Sequence, residues 1–415
     1  MRSLIILRVF FLLAPMAVVR AETPATASPA MMVEEGMGAV TPREVLAFKQ
    51  FMQTVPLPKD NLRNNMVYGT GGTAVEALAR VFEISGDVEL LDRMIAFADA
   101  MLAGRNDPRT GALIWTGERD LVWPNSISKD GARVYAGSES GDVVGHIACT
   151  ARMMLKNKPL WDKPVPGGDA HGFGATYEER ARTYIREMDR TMDSFIVKWF
   201  VRPDSLRLYT PDSKDFEAAS RPGSAARPVP WNQQAMLING FQRMSEAHML
   251  LGDAPERVRQ YEAVVQASID WFFAEVERCE VKGRLCYKWP YASGEHPIKH
   301  YEDIAHGGYD IALLSRALQS GRYGITPEMM LPFANTVTCI LLQPGNKFVD
   351  HVNGTHTGKR PPGGISGYWS DLCEFDPALY PILLAVNKGR FKSGADRTAN
   401  FLWVRHQMQR ASQAR

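Results

Sequence analysis

Apolar side chains recur at helical spacing along most of the chain after residue 40. Near its start, one apolar stripe ends in the turn Ser85-Gly86-Asp87 and a second stripe begins after it, which predicts a helical hairpin. The two stripes consist of Val75, Leu78 and Phe82, then Leu91, Met94, Ala98 and Met101.

The same pattern returns further along the chain. A second hairpin is predicted around Gly252-Asp253, between the stripe Leu237, Phe241, Met244, His248, Leu251 and the stripe Val258, Tyr261, Val265, Phe272. Further hairpins pair 141–155 with 177–200, 304–320 with 327–342, and 371–388 with 394–410. Strand signals are confined to 206–210 and 286–291.

Successive antiparallel hairpins with long loops and few short strands predict an all-α fold. We expect an α/α toroid, an incomplete barrel of helical hairpins, with a helical bundle or an open solenoid as the competing architectures. The toroid is favoured because polar and aromatic residues gather just before the first helix of each hairpin. One closed cleft would collect them there.

The first residues have the form of an export signal. Arg2 and Arg8 precede the apolar run Val9–Val19, and small residues stand at the positions of a cleavage site before residue 22. We therefore predict a signal peptide over 1–21, a disordered linker over 22–40 and a single catalytic domain over 41–415. The protein would be secreted or periplasmic without a membrane anchor, since no other run is long enough for a span.

Charge and cysteine content narrow the chemistry. The 415-residue chain carries 48 basic and 46 acidic side chains, so its overall charge would not hold nucleic acid. Cys279 and Cys286 could close a local disulfide across a hairpin. No CxxC or HExxH motif is present, and His351 and His356 lack a third ligand, so we predict no metal and no cofactor. The oligomeric state is left open.

Four segments before predicted helices carry the chemical groups. They are Tyr68-Gly69-Thr70-Gly71-Gly72, the stretch from Glu139 to His146, Trp231-Asn232-Gln233-Gln234, and the stretch from His300 to Asp310. In the last, Asp303 would cap a helix that places Glu302, His306 and Tyr309 on one face. Capping alone could explain each segment. Their recurrence at four helix starts favours a common cleft.

Nine Trp and thirteen Tyr side chains suggest a carbohydrate ligand, and two reactions then compete. A glycoside hydrolase needs two carboxyls, which Asp142, Glu139, Glu302 and Asp303 could provide. A lyase removes the C5 proton of a uronic acid, with His146, Asn232 and His306 as donors to the sugar carboxylate and Tyr209 or Tyr309 as the base. Arg202 and Arg207 could lower the pKa of Tyr209.

The motifs resemble those of polysaccharide lyase family 38, whose members act on alginate or glucuronan. The resemblance is carried by Glu139 with His146, by Arg202, Arg207 and Tyr209, and by the helix starts at 231–234 and 302–307. It implies that Tyr209 is base and acid, that His146 and Glu139 neutralise the substrate carboxylate, and that Arg202 or Arg207 assists.

The sequence therefore predicts an exported polysaccharide lyase that cleaves a polyuronate by β-elimination. An α/α-toroid glycoside hydrolase and a non-catalytic carbohydrate-binding protein are the alternatives. The predicted catalytic residues are Tyr209, His146, Glu139, Arg202, Arg207 and His306. The predicted substrate-binding residues are Trp231, Asn232, Gln233, Glu302, Asp303 and Tyr309.

Overall fold

A computed structural model describes residues 30–126, 134–357 and 365–413. The predicted signal peptide lies outside these residues, so export stays a prediction. The described part contains thirteen α-helices: α1 Pro42–Thr54, α2 Thr70–Ser85, α3 Val88–Ala103, α4 Ser140–Lys156, α5 Tyr177–Thr191, α6 Lys198–Phe200, α7 Lys214–Ala219, α8 Trp231–Leu251, α9 Pro255–Glu275, α10 Gly307–Ser320, α11 Pro327–Thr336, α12 Leu379–Asn387 and α13 Ala395–Gln413.

Shorter elements connect these helices. A 3₁₀ segment spans Gly367–Glu374, and π-helical turns over Met192–Val197 and Val337–Leu341 extend α5 and α11. The strands of the described part form two antiparallel pairs: β1 Glu277–Val281 with β2 Arg284–Lys288, and β3 Leu342–Gln343 with β4 Lys347–Phe348.

Left-handed glycines end the first helix of two predicted hairpins. Gly86 after α2 and Gly252 after α8 have φ of 66° and 70°, a conformation that glycine adopts without steric cost, and each amide bonds back to its helix. Asp87 then caps α3 through a bond from the Glu89 amide. The hairpins α2–α3 and α8–α9 are therefore confirmed. The predicted pairing of 304–320 with 327–342 is not, because α10 packs against α8 and the 3₁₀ segment while α11 packs against β2.

Six segments pack side by side in a ring: α2, α4, α8, α10, the 3₁₀ segment and α13, which contacts α2 again. The outer helices α1, α3, α5, α9, α11 and α12 cover them. Close approach of α4 and α8 requires glycine, because a Cβ at Gly141 would lie 2.7 Å from Leu237 Cα and one at Gly240 would lie 2.7 Å from Gly141 O. This is the predicted α/α toroid.

Some local predictions were wrong. Residues 206–210 form only isolated bridges, Val201 to Leu208 and Tyr209 to Pro228, rather than a strand. The hairpin β1–β2 places Cys279 opposite Cys286, but the disulfide is absent and both thiols are free. Of the predicted linker, residues 30–40 are described, and they pack on the domain: Met31 is buried.

The helix start near residue 303 also differs from the prediction. The α10 helix begins at Gly307, and residues 302–305 form a bridge and a turn, because Asp303 Oδ1 accepts the amides of Ala305 and His306. Glu302 therefore does not share a helix face with His306. Among the described helices, none combines the length and the apolar character needed to cross a bilayer.

Candidate active site

The starts of four ring helices meet in one open cleft of about 760 Å³. Its lining comprises Asn64, Tyr68, Asn125, Ser126, Tyr135, Glu139, Ala219, Ser220, Arg221, Asn232, Gln233, Met236, Ala305, His306 and Tyr309. A second cavity of about 330 Å³ shares Tyr135, Ser220, Arg221 and Gln233 with it. Together the two cavities form an extended groove, a shape suited to a chain-like ligand.

Glu139 provides the carboxyl group of this cleft. It precedes α4 and is 6% exposed. Asn125 Nδ2 donates to its Oε1 at 2.8 Å, and Tyr135 Oη donates to its Oε2 at 3.4 Å. Burial raises the pKa of this carboxyl to about 7, because no lysine or arginine among the described residues pairs with it. Near neutral pH, a large fraction of Glu139 is protonated and can donate a hydrogen bond.

Tyr135 contacts this carboxyl, and Arg221 lines the same cleft. The pKa of the Tyr135 phenol is raised well above its usual value, mainly by burial and to a smaller extent by the nearby Glu139. The positive charge of Arg221 acts in the opposite direction. Arg221 lines both cavities and bonds Tyr291, but it forms no ion pair with a described carboxylate. Its charge is therefore available to an anionic ligand.

Unpartnered amides complete this wall of the cleft. Asn232 at the start of α8 is 5% exposed, and its Oδ1 has no hydrogen-bond partner among the described residues. Asn64 Oδ1 is likewise unpartnered. Buried polar atoms are normally bonded in native proteins, so these two oxygens are positioned to accept from a ligand hydroxyl. Gln233 is held by Ser138, whose Oγ donates to its Oε1 at 3.2 Å.

His306 and Tyr309 form the opposite wall. Asp303 Oδ2 lies 2.7 Å from His306 Nδ1, and this bond raises the pKa of the imidazole. The Asp303 carboxyl itself does not line the cleft. Glu302 lies beneath it, fully buried, and burial together with Asp310 raises the pKa of Glu302 well above its usual value. Glu302 cannot contact a ligand in the cleft.

His146 and Trp231 also lie away from the cleft. The His146 ring is enclosed by Val67 O at 2.9 Å, Glu76 at 3.2 Å and Asp142 at 3.3 Å. Burial disfavours the charged imidazole, but the two carboxylates outweigh it and raise the pKa to about 10. Trp231 is 2% exposed and packs edge-on against two aromatic rings of the core.

Tyr209, Arg202 and Arg207 form a separate aromatic and cationic cluster on a loop. The Tyr209 ring stacks on Trp271 at 5.7 Å, and its hydroxyl donates to Glu295. Arg202 lies 5.0 Å from the Tyr209 ring centroid, and Arg207 lies over Trp271. Burial and Glu295 raise the pKa of Tyr209 to about 12 despite both arginines, so the predicted lowering was wrong.

The structure thus brings five predicted site residues together in the cleft: Glu139, His306, Asn232, Gln233 and Tyr309. It adds Asn125, Tyr135 and Arg221, which sequence reasoning missed. These three lie in irregular loops, where no periodicity marks the side chains that face a cavity. Tyr68 also lines the cleft from a turn, although the sequence marks its Gly-rich segment as a helix start.

No protein-family profile and no curated protein matches this sequence. Among solved structures, the chain is similar to the crystal structure of a family 76 glycoside hydrolase from a bovine Bacteroides thetaiotaomicron strain, with a TM-score of 0.44 and 11% identity. The match covers 82% of this chain and 55% of that one. A similarity this distant carries no information about the reaction. The resemblance to polysaccharide lyase family 38 stays a hypothesis.

Proposed function

We propose that this protein is a carbohydrate-active enzyme that cleaves an acidic polysaccharide by β-elimination. One observation carries the proposal: a protonatable carboxyl, Glu139, lies beside the phenol of Tyr135 in a cleft that is also lined by the guanidinium of Arg221, which has no carboxylate partner among the described residues. These are an acid, a base and a cation within one wall of the groove. They match what elimination from a uronic acid requires.

The first requirement is neutralisation of the sugar carboxylate. The C5 proton of a uronate becomes acidic only when hydrogen-bond donors stabilise the charge that develops on the adjacent carboxylate. Protonated Glu139 would donate to one carboxylate oxygen, and Arg221 would bind the anion electrostatically. A pKa of about 7 keeps Glu139 available as a donor at and below neutral pH.

The second requirement is a base that also delivers a proton. Tyr135 Oη lies 3.4 Å from Glu139 Oε2, so a uronate bound by Glu139 would present its C5 side near the phenol. Tyr135 would act as the phenolate, the form that the nearby charge of Arg221 favours; it would take the C5 proton and then give that proton to the leaving oxygen. We place this role on Tyr135 rather than Tyr209, because Tyr209 does not line the cleft.

A glycoside hydrolase is the second candidate. It is favoured by the raised pKa of Glu139, which would also suit a general acid that protonates a glycosidic oxygen. The reaction needs a second carboxyl within roughly 5–9.5 Å. Among the described lining residues Glu139 is the only acid, and the nearby Asp303 is bound to His306. The elimination reaction therefore fits the lining residues better.

Product analysis separates these readings. We expect the purified protein to release unsaturated products from polymannuronate, polyguluronate or glucuronan, seen as a rise in far-ultraviolet absorbance, and to leave neutral mannan intact. New reducing ends without that absorbance would identify a hydrolase. Binding of polyuronate with no product of either kind would identify a non-catalytic carbohydrate-binding protein.

The pH dependence of kcat/KM tests the role of Glu139. In the lyase mechanism the active form combines the protonated carboxyl with the Tyr135 phenolate, so kcat/KM should rise with pH, approaching tenfold for each pH unit, and level off above about pH 7 as Glu139 loses its proton. Glu139→Gln keeps a neutral donor at every pH. We expect this variant to keep gaining activity above pH 7, where the wild type levels off, and to stay within about tenfold of the wild type near pH 6.

The hydrolase mechanism predicts a different result for the same variant. A glutamine cannot transfer a proton, so Glu139→Gln would lose about 10²–10⁴-fold at every pH. A variant whose activity levels off at the same pH as the wild type would show that another group controls the plateau.

A further inference from the structure

Two carboxyl groups are buried behind the cleft without a lysine or arginine partner among the described residues. Glu302 is 0% exposed and Asp310 is 2% exposed, and neither pairs with a lysine or arginine among the described residues. Trp289 Nε1 donates to Asp310 Oδ2 at 2.9 Å. Glu302 Oε2 and Asp310 Oδ1 have no hydrogen-bond partner in the part of the chain that the structure describes. Such groups are costly unless a proton or a cation compensates them.

Three potential ligands converge at Glu302. A carboxylate oxygen of Glu302, one of Asp303 and a ring nitrogen of His306 all lie within 4.8 Å of one another. His306 Nδ1 is 2.7 Å from Asp303 Oδ2 and 3.9 Å from Glu302 Oε1. Atoms bound to one zinc ion at about 2.1 Å would lie roughly 3.4 Å apart in tetrahedral geometry. The three groups could thus surround one ion after small movements of their side chains.

We propose that Glu302, Asp303 and His306 bind a divalent transition-metal ion. One imidazole nitrogen with two carboxylate oxygens favours Zn²⁺ or Mn²⁺ over Mg²⁺ and Ca²⁺, which prefer oxygen ligands alone. His306 would bind the ion through Nδ1 of the neutral imidazole. The bond to the metal would then replace its hydrogen bond to Asp303. Asp310 lies close enough to Glu302 to add negative charge behind the site.

The location gives the ion a structural role at the cleft. The backbone carbonyl of Glu302 accepts the Val352 amide, and Asp303 forms a bridge with His351, so the site holds the loop before α10 against residues 350–352. Ligation would also fix the ring of His306, which lines the cleft. This site was not predictable from the sequence, because spacings of one and three residues match no common metal motif. The proposal does not depend on the reaction.

Metal binding to the whole protein is the direct test. The protein is stripped with a chelator, titrated with ZnCl₂ or MnCl₂ by calorimetry, and its Tm and bound metal are measured. We expect about one ion per chain and a raised Tm. Glu302→Gln and Asp303→Asn keep the shape of the side chain and a hydrogen-bond acceptor. Loss of a residue that only supports a ligand costs roughly 10–100-fold in metal affinity, and each of these variants should weaken metal binding by more than that.

Two control variants make the result specific. Glu256→Gln, at a side chain that is 84% exposed, should bind like the wild type. Asp350→Asn should also do so, although Asp350 contacts His351 and His356 nearby. Loss of binding in Asp350→Asn with retention in Glu302→Gln would overturn the assignment. The assignment would also be overturned if the wild type bound no metal and its Tm did not change. In that case a shared proton would compensate the buried carboxyls of Glu302 and Asp310.

Discussion

Tyr135→Phe is expected to lower kcat on a polyuronate by about 10²–10⁴-fold, the usual contribution of a positioned acid–base group. The variant keeps the ring, which packs 5.8 Å from Phe216, and removes only the hydroxyl that bonds Glu139. Substrate binding should change little, because Glu139, Arg221 and Asn232 are retained. Initial rates of unsaturated product, measured over a range of substrate concentrations, give kcat and KM separately.

Tyr209→Phe is the matched control. Its hydroxyl bonds Glu295 on a loop, and its ring does not line the cleft, so we expect kcat to stay within about threefold of the wild type. The opposite pattern, a large loss in Tyr209→Phe with normal turnover in Tyr135→Phe, would return the base role to Tyr209. It would also require a rearrangement that brings the loop into the cleft.

Arg405→Met is expected to reduce the free energy of unfolding by about 3–5 kcal/mol. Arg405 on α13 and Glu44 on α1 are 1% and 0% exposed and form an ion pair where the last helix of the ring meets the first helix of the chain. Arg405 also donates to the backbone carbonyls of Glu34 and Gly36. Its removal leaves a buried carboxylate without a counter-charge. Urea denaturation followed by circular dichroism measures the change.

The double variant Glu44→Gln/Arg405→Met isolates the charge effect. It should regain part of the lost stability. Replacing both members of a buried ion pair costs less free energy than replacing one of them, which leaves the other charge buried and unpaired. Replacing Arg259, whose partner Glu256 is 84% exposed, should cost less than about 1 kcal/mol. A loss below 1 kcal/mol in Arg405→Met would mean that the pair contributes little to closing the ring.

The helical hairpins were predictable because they depend on local rules. The apolar stripes of α2 and α3 and the left-handed glycine between them specify a hairpin without reference to the rest of the chain. The helix starts that carry Glu139 and Asn232 were predictable for the same reason. Their polar side chains stand where a helix of the ring begins, and a ring directs those ends to one side.

The side chains that act from loops were not predictable. Tyr209 was chosen for its neighbouring arginines, but those arginines pack over aromatic rings, and Glu295 raises the pKa of the phenol. Tyr135 and Arg221 carry no comparable sequence signal. Only the fold brings them into one cleft with Glu139.

Sequence alone determined the helical period, the hairpin turns and the chemical character of the helix starts, since each follows from contacts a few residues apart. Tertiary structure decided which groups are buried, and therefore which ones are charged. His146 became an internal, doubly paired imidazole, and Glu302 an unpaired buried acid. The physical reason is that desolvation and pairing depend on neighbours from distant segments, which a linear pattern does not specify.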